Sequence, residues 1–356
     1  MSHVTEYGIV LRHGIDLPLV DVSSSRDRPV YLPAELCMIS SNQPFRGKLT
    51  DDATAAMIRH ACKPPNINAE SIVSQGLPAL GLQSAASLKE FGLTIGDKMA
   101  VIPGRLLTPP RITYSRGTVN VDDRAGWNLR DVQFVAPVSI RNWAVIVLKD
   151  NGRNDLTGAD DPALRSILSG LIDVCTRSGM SVPRPQIAAV NLPPKDNRID
   201  PLRKFAIEEI RNAINSILPK PEIVFVLLSN GDKHIYTGLK SLCDLTLDIH
   251  TVCCHTQKIR NPKGQLQFFA NLALKFNAKL GGINHTVDRE SLKWLREQPT
   301  MMFGSDVTHP SPGSLKGTPS IAAVVASMDD QFATYPASLR LQESRKEVST
   351  SNLPIW

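Results

Sequence analysis

Four side chains in the second half of the chain have types and spacings that suit the binding of a phosphate beside a flat base. Tyr236 and Lys240 are four residues apart, as are Lys275 and Lys279, so each pair lies on one face of a predicted helix. The three ammonium groups and the aromatic ring together fit a terminal phosphate with a stackable base. Solvated lysines on amphipathic helices, with Lys275 and Lys279 favoured by the helix dipole, are the alternative explanation.

A single aspartate, Asp306 in FGSDVTHP, is a candidate for metal-dependent cleavage of a phosphodiester. It follows an apolar strand and precedes a turn. Such cleavage needs several carboxylates that hold two divalent ions. Only Asp329 and Asp330 follow nearby, on the next predicted hairpin. A turn or capping role for Asp306 is the alternative.

The one local cluster of possible metal ligands favours a strand over a metal site. It comprises Cys243, His250, Cys253, Cys254 and His255. Zinc ligands are usually separated by two to four residues, whereas adjacent cysteines in a strand point to opposite faces. The sequence also contains no GxGxxG, GxxxxGKS/T or GxSxG motif, which argues against the usual dinucleotide, nucleoside triphosphate and serine hydrolase sites.

Positive charge is concentrated around the candidate residues. The 356-residue chain has 40 Lys and Arg against 34 Asp and Glu, a formal net charge of +6 and a pI near 9.0. Residues 229–282 contain seven basic residues and three acidic ones, and so carry a net +4 of that +6. This bias is compatible with a nucleic-acid partner.

The composition predicts a folded intracellular protein with no membrane partner. Hydrophobic residues make up 42% of the chain and charged residues 21%, which is typical of globular proteins. No apolar run approaches about 18 residues, and the first residues lack the pattern of a signal peptide. The predicted location is the cytoplasm, with a nuclear location left open.

The elements that must position the candidate side chains fall into three regions. The first part of the chain is irregular and rich in proline, with short helices expected from Thr50 and over SAASLKEFGL, and short strands over MAVIPGRLL and RITYS. From about Trp127, apolar strands alternate with amphipathic helices, which indicates a Rossmann-like α/β domain with a parallel sheet covered on both faces. Three more strands follow from Thr300, in too few residues to bury a core.

Within the α/β region, the predicted strands are WAVIVL, PQIAAVN, EIVFVLLS and HTVCCHT. The first helix has Asp161 as its N-cap and ends at Gly179. The other helices are predicted over LRKFAIEEIRNAINSIL, HIYTGLKSLCDL and QLQFFANLALKFNAKL. The last helix is expected to expose Asn271, Lys275 and Lys279 and to bury Leu266, Phe269, Ala273, Phe276 and Leu280.

In this order and spacing, YTGLK, LKFNAKLGG, FGSDVTHP and PSIAAVVASMD resemble eukaryotic, fungal-like Argonaute proteins. YLPAELC and KLTDDATAAMIRHA resemble the start of the second Argonaute linker, and GRLLTPPRITY through GWNLRDVQF its passage into the MID domain. The resemblance therefore implies four parts: the end of a PAZ domain (1–27), linker 2 (28–126), MID (127–290), and the first part of an RNase H-like PIWI domain, truncated (291–356).

The resemblance implies that the chain takes part in small-RNA-guided gene silencing and binds the 5′-monophosphate of a guide RNA. Tyr236 would stack on the first base, and Lys240, Lys275 and Lys279 would hold the phosphate. A loop that inspects the first base would comprise Asn230, Gly231, Asp232 and Lys233. Val252 stands where many family members have a glutamine beside the phosphate, and Thr251 is a candidate for supplying the missing hydrogen bond.

Asp306 matches the first catalytic aspartate of Argonautes that cleave RNA. The other metal-site residues of the family would follow Trp356. We therefore expect that this chain does not cleave RNA and has no cofactor. Mg²⁺ and a target RNA are expected to bind only to a complete protein. Silencing proteins are further expected partners. The alternative is a protein-interaction fragment, or an inactive truncated one, that has lost RNA binding.

Overall fold

The computed structural model describes residues 8–13, 16–23, 29–44, 49, 51–82, 86–152, 155–311, 314 and 317–344. The chain divides into two compact units, Met1–Arg105 and Leu106–Trp356. Every candidate site residue lies in the second unit. The final segment SNLPIW and several residues of the region assigned to a PAZ domain lie outside the described residues.

The first unit is built of short elements. Strands β1 (Leu19–Asp21) and β2 (Tyr31–Pro33) pair antiparallel. A 3-10 turn at Ala34–Leu36 precedes helices α1 (Asp51–Ala61), α2 (Pro65–Ser71), α3 (Leu77–Ala79) and α4 (Ala86–Glu90), and a π turn at Ile72–Gly76 joins α2 to α3.

The proline-rich region agrees with the sequence only in part. Helix α1 ends at Ala61, before the KPP sequence, and helix α2 begins at Pro65, which is possible because the first turn of a helix does not use the N–H that proline lacks. The strand expected over MAVIPGRLL does not form. Pro103 and Gly104 interrupt this segment, and its side chains are exposed rather than packed against a partner strand.

The second unit is built around a four-stranded parallel sheet. Its strands are β4 (Trp143–Lys149), β5 (Gln186–Asn191), β6 (Ile223–Leu228) and β7 (His250–His255), in the order β5-β4-β6-β7. The register aligns Val224 with Thr251 and Leu227 with Cys254. Strand β3 (Ile112–Thr113), which precedes these four strands in the sequence, pairs antiparallel with β8 (Thr286–Val287), which follows them. The α/β fold with a parallel sheet is confirmed.

Helices cover both faces of this sheet, as the apolar strands predict. They are α5 (Pro162–Arg177), α6 (Lys204–Asn215), α7 (Lys233–Ser241), α8 (Thr256–Ile259) and α9 (Gln265–Lys279), and a π turn at Leu242–Leu247 continues α7. A short helix, α10 (Lys293–Arg296), follows β8 in the sequence. Helices α5 and α9 pack in one apolar cluster with the sheet. Helices α6 and α7 pack in a second cluster on the opposite face.

Helix α9 is oriented by aromatic packing. Phe276 makes edge-to-face contacts with Trp143 and Phe225, whose ring centroids lie 5.6 and 5.8 Å away. Leu266, expected in the buried stripe, is 66% exposed, and Leu272 is buried instead. Because the buried stripe is centred on Phe276, the face that carries the two lysines of α9 is turned outward.

The end of α9 is fixed by a buried polar side chain. The Asn277 Oδ1 accepts a hydrogen bond of 2.9 Å from the Val138 N–H, and its Nδ2 donates to the Ala136 carbonyl and to Asn284. A Cβ at Gly282 would lie 2.4 Å from Asn277 Oδ1, so this close approach requires glycine. The contacts tie the last turn of α9 to the segment that precedes β4.

Three antiparallel strands follow: β9 (Phe303–Thr308), β10 (Ser320–Ala326) and β11 (Ala337–Gln342), with β10 in the middle. They agree with the strands predicted after Thr300. In the part of the chain that the structure describes, no helix has the length and apolar character needed to cross a membrane.

Candidate functional site

The predicted phosphate-binding lysines converge on the free edge of the parallel sheet. Strand β7 is an edge strand. Helix α7, with Lys240, packs on one face of the sheet, and helix α9, with Lys275 and Lys279, packs on the other. The two helices therefore bring their lysines around the same edge from opposite sides. We call Lys240, Lys275, Lys279 and the outward side of β7 the β7-edge site.

Lys240 is joined to the edge strand by hydrogen bonds. Its Nζ donates to the Thr251 carbonyl oxygen at 3.2 Å and also to the Thr251 hydroxyl. Because the N–H and C=O groups of one strand residue point to the same side and alternate along the strand, the N–H of Cys253 also faces the free edge. An anion at this edge would meet a backbone donor as well as ammonium groups.

Lys279 lies close to Lys240. Burial lowers the pKa of Lys279, and the positive charge of Lys240 lowers it further. Both lysines also lie near the half-buried Cys253: burial raises the pKa of its thiol, and their charges oppose that rise. Two ammonium groups held together beside a partly buried strand form a site that favours an anion.

Lys275 lies one turn earlier on α9 and is exposed. It is near Cys254, as is Lys258 of α8: burial raises the pKa of the Cys254 thiol to about 12, while the charges of Lys258 and Lys275 act in the opposite direction. Lys258 was not among the predicted site residues. The clustering of basic residues after Ser229 was the only signal for it in the sequence.

Tyr236 lies one turn before Lys240 on α7. Its side chain is 45% exposed, and its backbone N–H donates to the Asp232 carbonyl in the first turn of the helix. The ring is thus held on a packed helix with part of its surface open to solvent. Such a ring can stack on a base next to the lysines.

Thr251 and Val252 have structural contacts that the sequence did not predict. Thr251 is fully buried, and its hydroxyl contacts Lys240, so its nearest role is to position that ammonium group. Val252 is 2% exposed and packs in the apolar cluster that includes α9. The position to which the resemblance assigns a glutamine in many family members is therefore apolar here.

The four residues of the predicted base-inspecting loop divide into two pairs. Asn230 Oδ1 accepts from the Asp232 N–H at 2.9 Å, and Asp232 Oδ1 accepts from the His234 N–H at 2.9 Å as the N-cap of α7. Both side chains stabilise the loop itself. Gly231 and Lys233 are exposed.

Asp306 lies on β9, away from any cluster of carboxylates among the described residues. It is exposed, and its Oδ1 accepts from the adjacent Val307 N–H at 2.9 Å. Asp329 caps a turn by accepting from the N–H groups of Gln331, Ala333 and Thr334. No group of three His, Cys, Asp or Glu side chains in the described ranges is placed to hold a metal ion.

Two family models match the chain. The Argonaute linker 2 domain matches residues 67–114, and the Piwi domain matches residues 223–355. Among solved structures, Kluyveromyces polysporus Argonaute with a guide RNA aligns over 98% of this chain and 38% of its own, with a TM-score of 0.65 and 23% identity. Drosophila Piwi aligns over 96% of this chain and 42% of its own, with a TM-score of 0.59 and 20% identity. The fold is thus that of the Argonaute and Piwi proteins.

Curated relatives agree with this class. Protein argonaute 1B of Oryza sativa subsp. japonica is 30% identical over 360 residues, which cover 98% of this chain and 31% of the relative. Protein argonaute 5 of Arabidopsis thaliana is 31% identical over 340 residues, which cover 93% of this chain and 32% of the relative. The chain belongs to the Argonaute family, and it spans about a third of the length of these relatives.

Proposed function

We propose that this chain acts in small-RNA-guided gene silencing and binds the 5′-monophosphate end of a guide RNA at the β7-edge site. The observation that carries the proposal is the close approach of Lys240 and Lys279 at the free edge of β7. Lys275 adds a third ammonium group from the same helix as Lys279. Tyr236 supplies the surface for the first base.

Electrostatics favours a dianionic ligand over a singly charged one. Two like charges held near each other repel, and the repulsion grows as solvent is excluded. A 5′-monophosphate carries a charge of about −1.5 to −2 at pH 7, because its second pKa is near 6. Such a group offsets both ammonium charges, and stacking of the adjacent base on an aromatic ring contributes about 1–3 kcal/mol.

The domain boundaries form part of the proposal: the end of PAZ over 1–27, linker 2 over 28–126, MID over 127–290 and the start of PIWI over 291–356. The linker 2 and Piwi matches support this order. Silencing partner proteins and action in the cytoplasm, with a nuclear location left open, are further parts of the proposal.

We further propose that Asp306 serves as a metal ligand only in a complete protein, where Mg²⁺ would act on a target RNA. The carboxylate of Asp306 is exposed on β9, so it is accessible to an ion. A cleavage site of this kind needs further carboxylates. This chain by itself should not cleave RNA.

A protein-interaction role is the second candidate. Ile321 of β10 and Leu339 and Leu341 of β11 share one sheet face and are 42%, 59% and 72% exposed. An apolar face of this kind suits a protein partner or self-association. Size-exclusion chromatography of the chain with and without 5′-phosphorylated RNA separates the two candidates: association without RNA binding would favour the second.

The proposed function is tested with a double variant, Lys275→Ala with Lys279→Ala. The ligand is a short RNA with a 5′-monophosphate, titrated against the full chain. The matched control is Lys220→Ala with Lys263→Ala, which removes the same charge from exposed positions outside the β7-edge site. We expect affinity to fall at least tenfold in the first double variant and less than threefold in the control, since each lost charge–phosphate contact is worth about 1.5–3 kcal/mol. Equal affinities in the two double variants would refute the site.

A further inference from the structure

A buried arginine holds the loop between β6 and α7. The side chain of Arg203, at the start of α6, is 1% exposed. Its guanidinium donates to Asp150 Oδ1 at 2.6 Å and to the Pro193 carbonyl at 2.9 Å. Its Nε lies 3.7 Å from Asp232 Oδ2. Arg203 thus connects residues that follow three strands of the sheet: β4, β5 and β6.

Arg203 is placed there by the backbone. It has a left-handed conformation, with φ of 59° and ψ of 32°, and it precedes the first turn of α6. Asp200 caps that turn, accepting from the Lys204 N–H at 2.7 Å and from the Phe205 N–H at 2.9 Å. A non-glycine residue in this conformation is uncommon, so the surrounding contacts must hold it.

The loop is attached to the same charge network at two points. Asn230 Nδ2 donates to Asp150 Oδ2 at 2.9 Å. Asp232 Oδ2 faces Arg203 and also Lys195, whose Nζ is 3.2 Å away. Burial opposes ionisation of Asp232, but the hydrogen bond from His234 and the charges of Lys195 and Arg203 hold its pKa below the ordinary value. The loop therefore carries two anchors, one on each side of Gly231: the exposed Asn230 and the largely buried Asp232.

Asn230, Gly231 and Lys233 are exposed within the loop, whereas the Asp232 side chain is 5% exposed and points into the network. The amide of Asn230 is held by Asp150 and by the Asp232 N–H. Any contact with a first base would come from these three exposed residues or from the loop backbone. The position of that backbone depends on the anchors, and the anchors meet at Arg203. The lysines of the β7-edge site take no part in these contacts.

We propose that Arg203 is a positioning residue that fixes the Asn230–Lys233 loop and thereby sets the preference for the first nucleotide of the bound RNA. The inference rests on the proposed function, because it presupposes that a 5′-phosphorylated end binds beside Tyr236. It assigns the preference to a buried ion network rather than to side chains that touch the base.

The test compares Arg203→Met with the unsubstituted chain. Four short RNAs with a 5′-monophosphate differ only in their first nucleotide, and a fifth carries a 5′-hydroxyl. We expect the unsubstituted chain to show a spread of at least fivefold among the four affinities, and Arg203→Met to reduce it to less than twofold. The ratio of 5′-monophosphate to 5′-hydroxyl affinity should change by less than twofold, since the lysines are untouched.

Two further variants keep the test decisive. Asn230→Ala removes the loop's bond to Asp150 and the acceptor for the Asp232 N–H, but it leaves every ion pair, so it reports on the loop even where Arg203→Met does not fold. Arg211→Met, on the exposed side of the same helix and paired with Glu208 at 3.0 Å, is the matched control and should keep the spread.

The two proposals fail in different ways. If the unsubstituted chain binds RNA with a 5′-monophosphate and RNA with a 5′-hydroxyl equally well, the proposed function is refuted. Two results would overturn the role of Arg203 while the chain still prefers the 5′-monophosphate. The first is equal affinity for the four first nucleotides in the unsubstituted chain. The second is a spread of affinities that stays the same in Asn230→Ala and in folded Arg203→Met. A uniform loss of affinity for all five RNAs would also overturn it, because that result indicates only a general structural role.

Discussion

The Nζ of Lys240 lies 3.2 Å from the carbonyl oxygen of Thr251, on the unpaired side of strand β7. This contact joins α7 to the sheet edge and directs one ammonium group toward the position where Lys279 arrives from the opposite face. A site built in this way uses the backbone of an edge strand, which would otherwise be exposed to pairing with another chain. The lysines cover the edge and, in the proposed function, also bind the anion.

Removal of the Thr251 hydroxyl should weaken phosphate binding through Lys240. In Thr251→Val, Lys240 keeps the carbonyl acceptor but loses the hydroxyl, so its ammonium group is less well fixed. We expect a three- to tenfold loss of affinity for 5′-phosphorylated RNA, or about 1 kcal/mol. Thr237→Val is the control, since that hydroxyl bonds only within its own helix, to the Lys233 and His234 carbonyls. The same loss in both variants would contradict the role of Thr251.

Phosphate binding should depend on pH in two ranges. Affinity should rise as pH increases through about 6, where the phosphate becomes a dianion. At alkaline pH affinity should fall before the ordinary lysine pKa of about 10.4 is reached, because burial and the charge of Lys240 lower the pKa of Lys279.

Binding of the dianion stabilises protonated Lys279, so the complex should take up protons in the alkaline range. Isothermal titration calorimetry in buffers of different ionisation enthalpy measures this uptake. Proton uptake on binding 5′-phosphorylated RNA should be smaller in Lys279→Ala than in the unsubstituted chain. RNA with a 5′-hydroxyl measures the proton uptake that does not depend on the phosphate. An uptake of the same size in Lys279→Ala would contradict the assignment.

Gly238→Ala should destabilise the packing of α7 on α6. Alanine normally stabilises a helix interior over glycine by about 1 kcal/mol. Here the new Cβ would lie 2.6 Å from Ile207 Cγ1 and 2.7 Å from its Cδ1, which forces the helices apart. We expect a net loss of about 1–3 kcal/mol in the free energy of unfolding, measured with urea.

The Ile207→Ala background is the control for this clash. With the opposing side chain shortened, Gly238→Ala should become neutral or stabilising, because only the helix propensity remains. A destabilisation of equal size in both backgrounds would mean that Ile207 is not the cause.

The chain should show no Mg²⁺-dependent cleavage of RNA. This expectation follows from the proposal that Asp306 binds a metal only together with further carboxylates, several of which a two-metal site requires. The measurement is the rate of appearance of a defined product from an RNA complementary to a bound guide, with and without Mg²⁺. Cleavage that requires Mg²⁺ and disappears in Asp306→Asn would show that the chain holds a complete site.

Much of the second unit could be predicted because its elements are long and strongly patterned. The apolar runs of β4 and β6 and the helical spacing of α5 identify buried strands and a capped helix within one or two residues. Helix α6 begins at Lys204, two residues later than the pattern indicates, because Arg203 leaves the helix to enter the ion network.

Contacts between distant residues could not be predicted. The lysine pairs are visible from their spacing, but their meeting at a free edge depends on strand order, which no local pattern encodes. Asp150 and Arg203 are 53 residues apart, and Asn230 and Asp150 are 80 apart. The signal for these contacts in the sequence was a polar residue directly after a buried strand, since such residues collect at the carboxyl edge of a parallel sheet.

The most direct test of the central claim is a binding titration of the full chain with two RNAs that differ only in a 5′-monophosphate or a 5′-hydroxyl, at two salt concentrations. The β7-edge site predicts at least tenfold tighter binding of the monophosphate. It also predicts that affinity for the monophosphate RNA falls more steeply with salt than affinity for the hydroxyl RNA, because each neutralised phosphate adds about 0.7 to the salt slope of a single strand. Equal binding of the two RNAs at both salt concentrations would contradict the account.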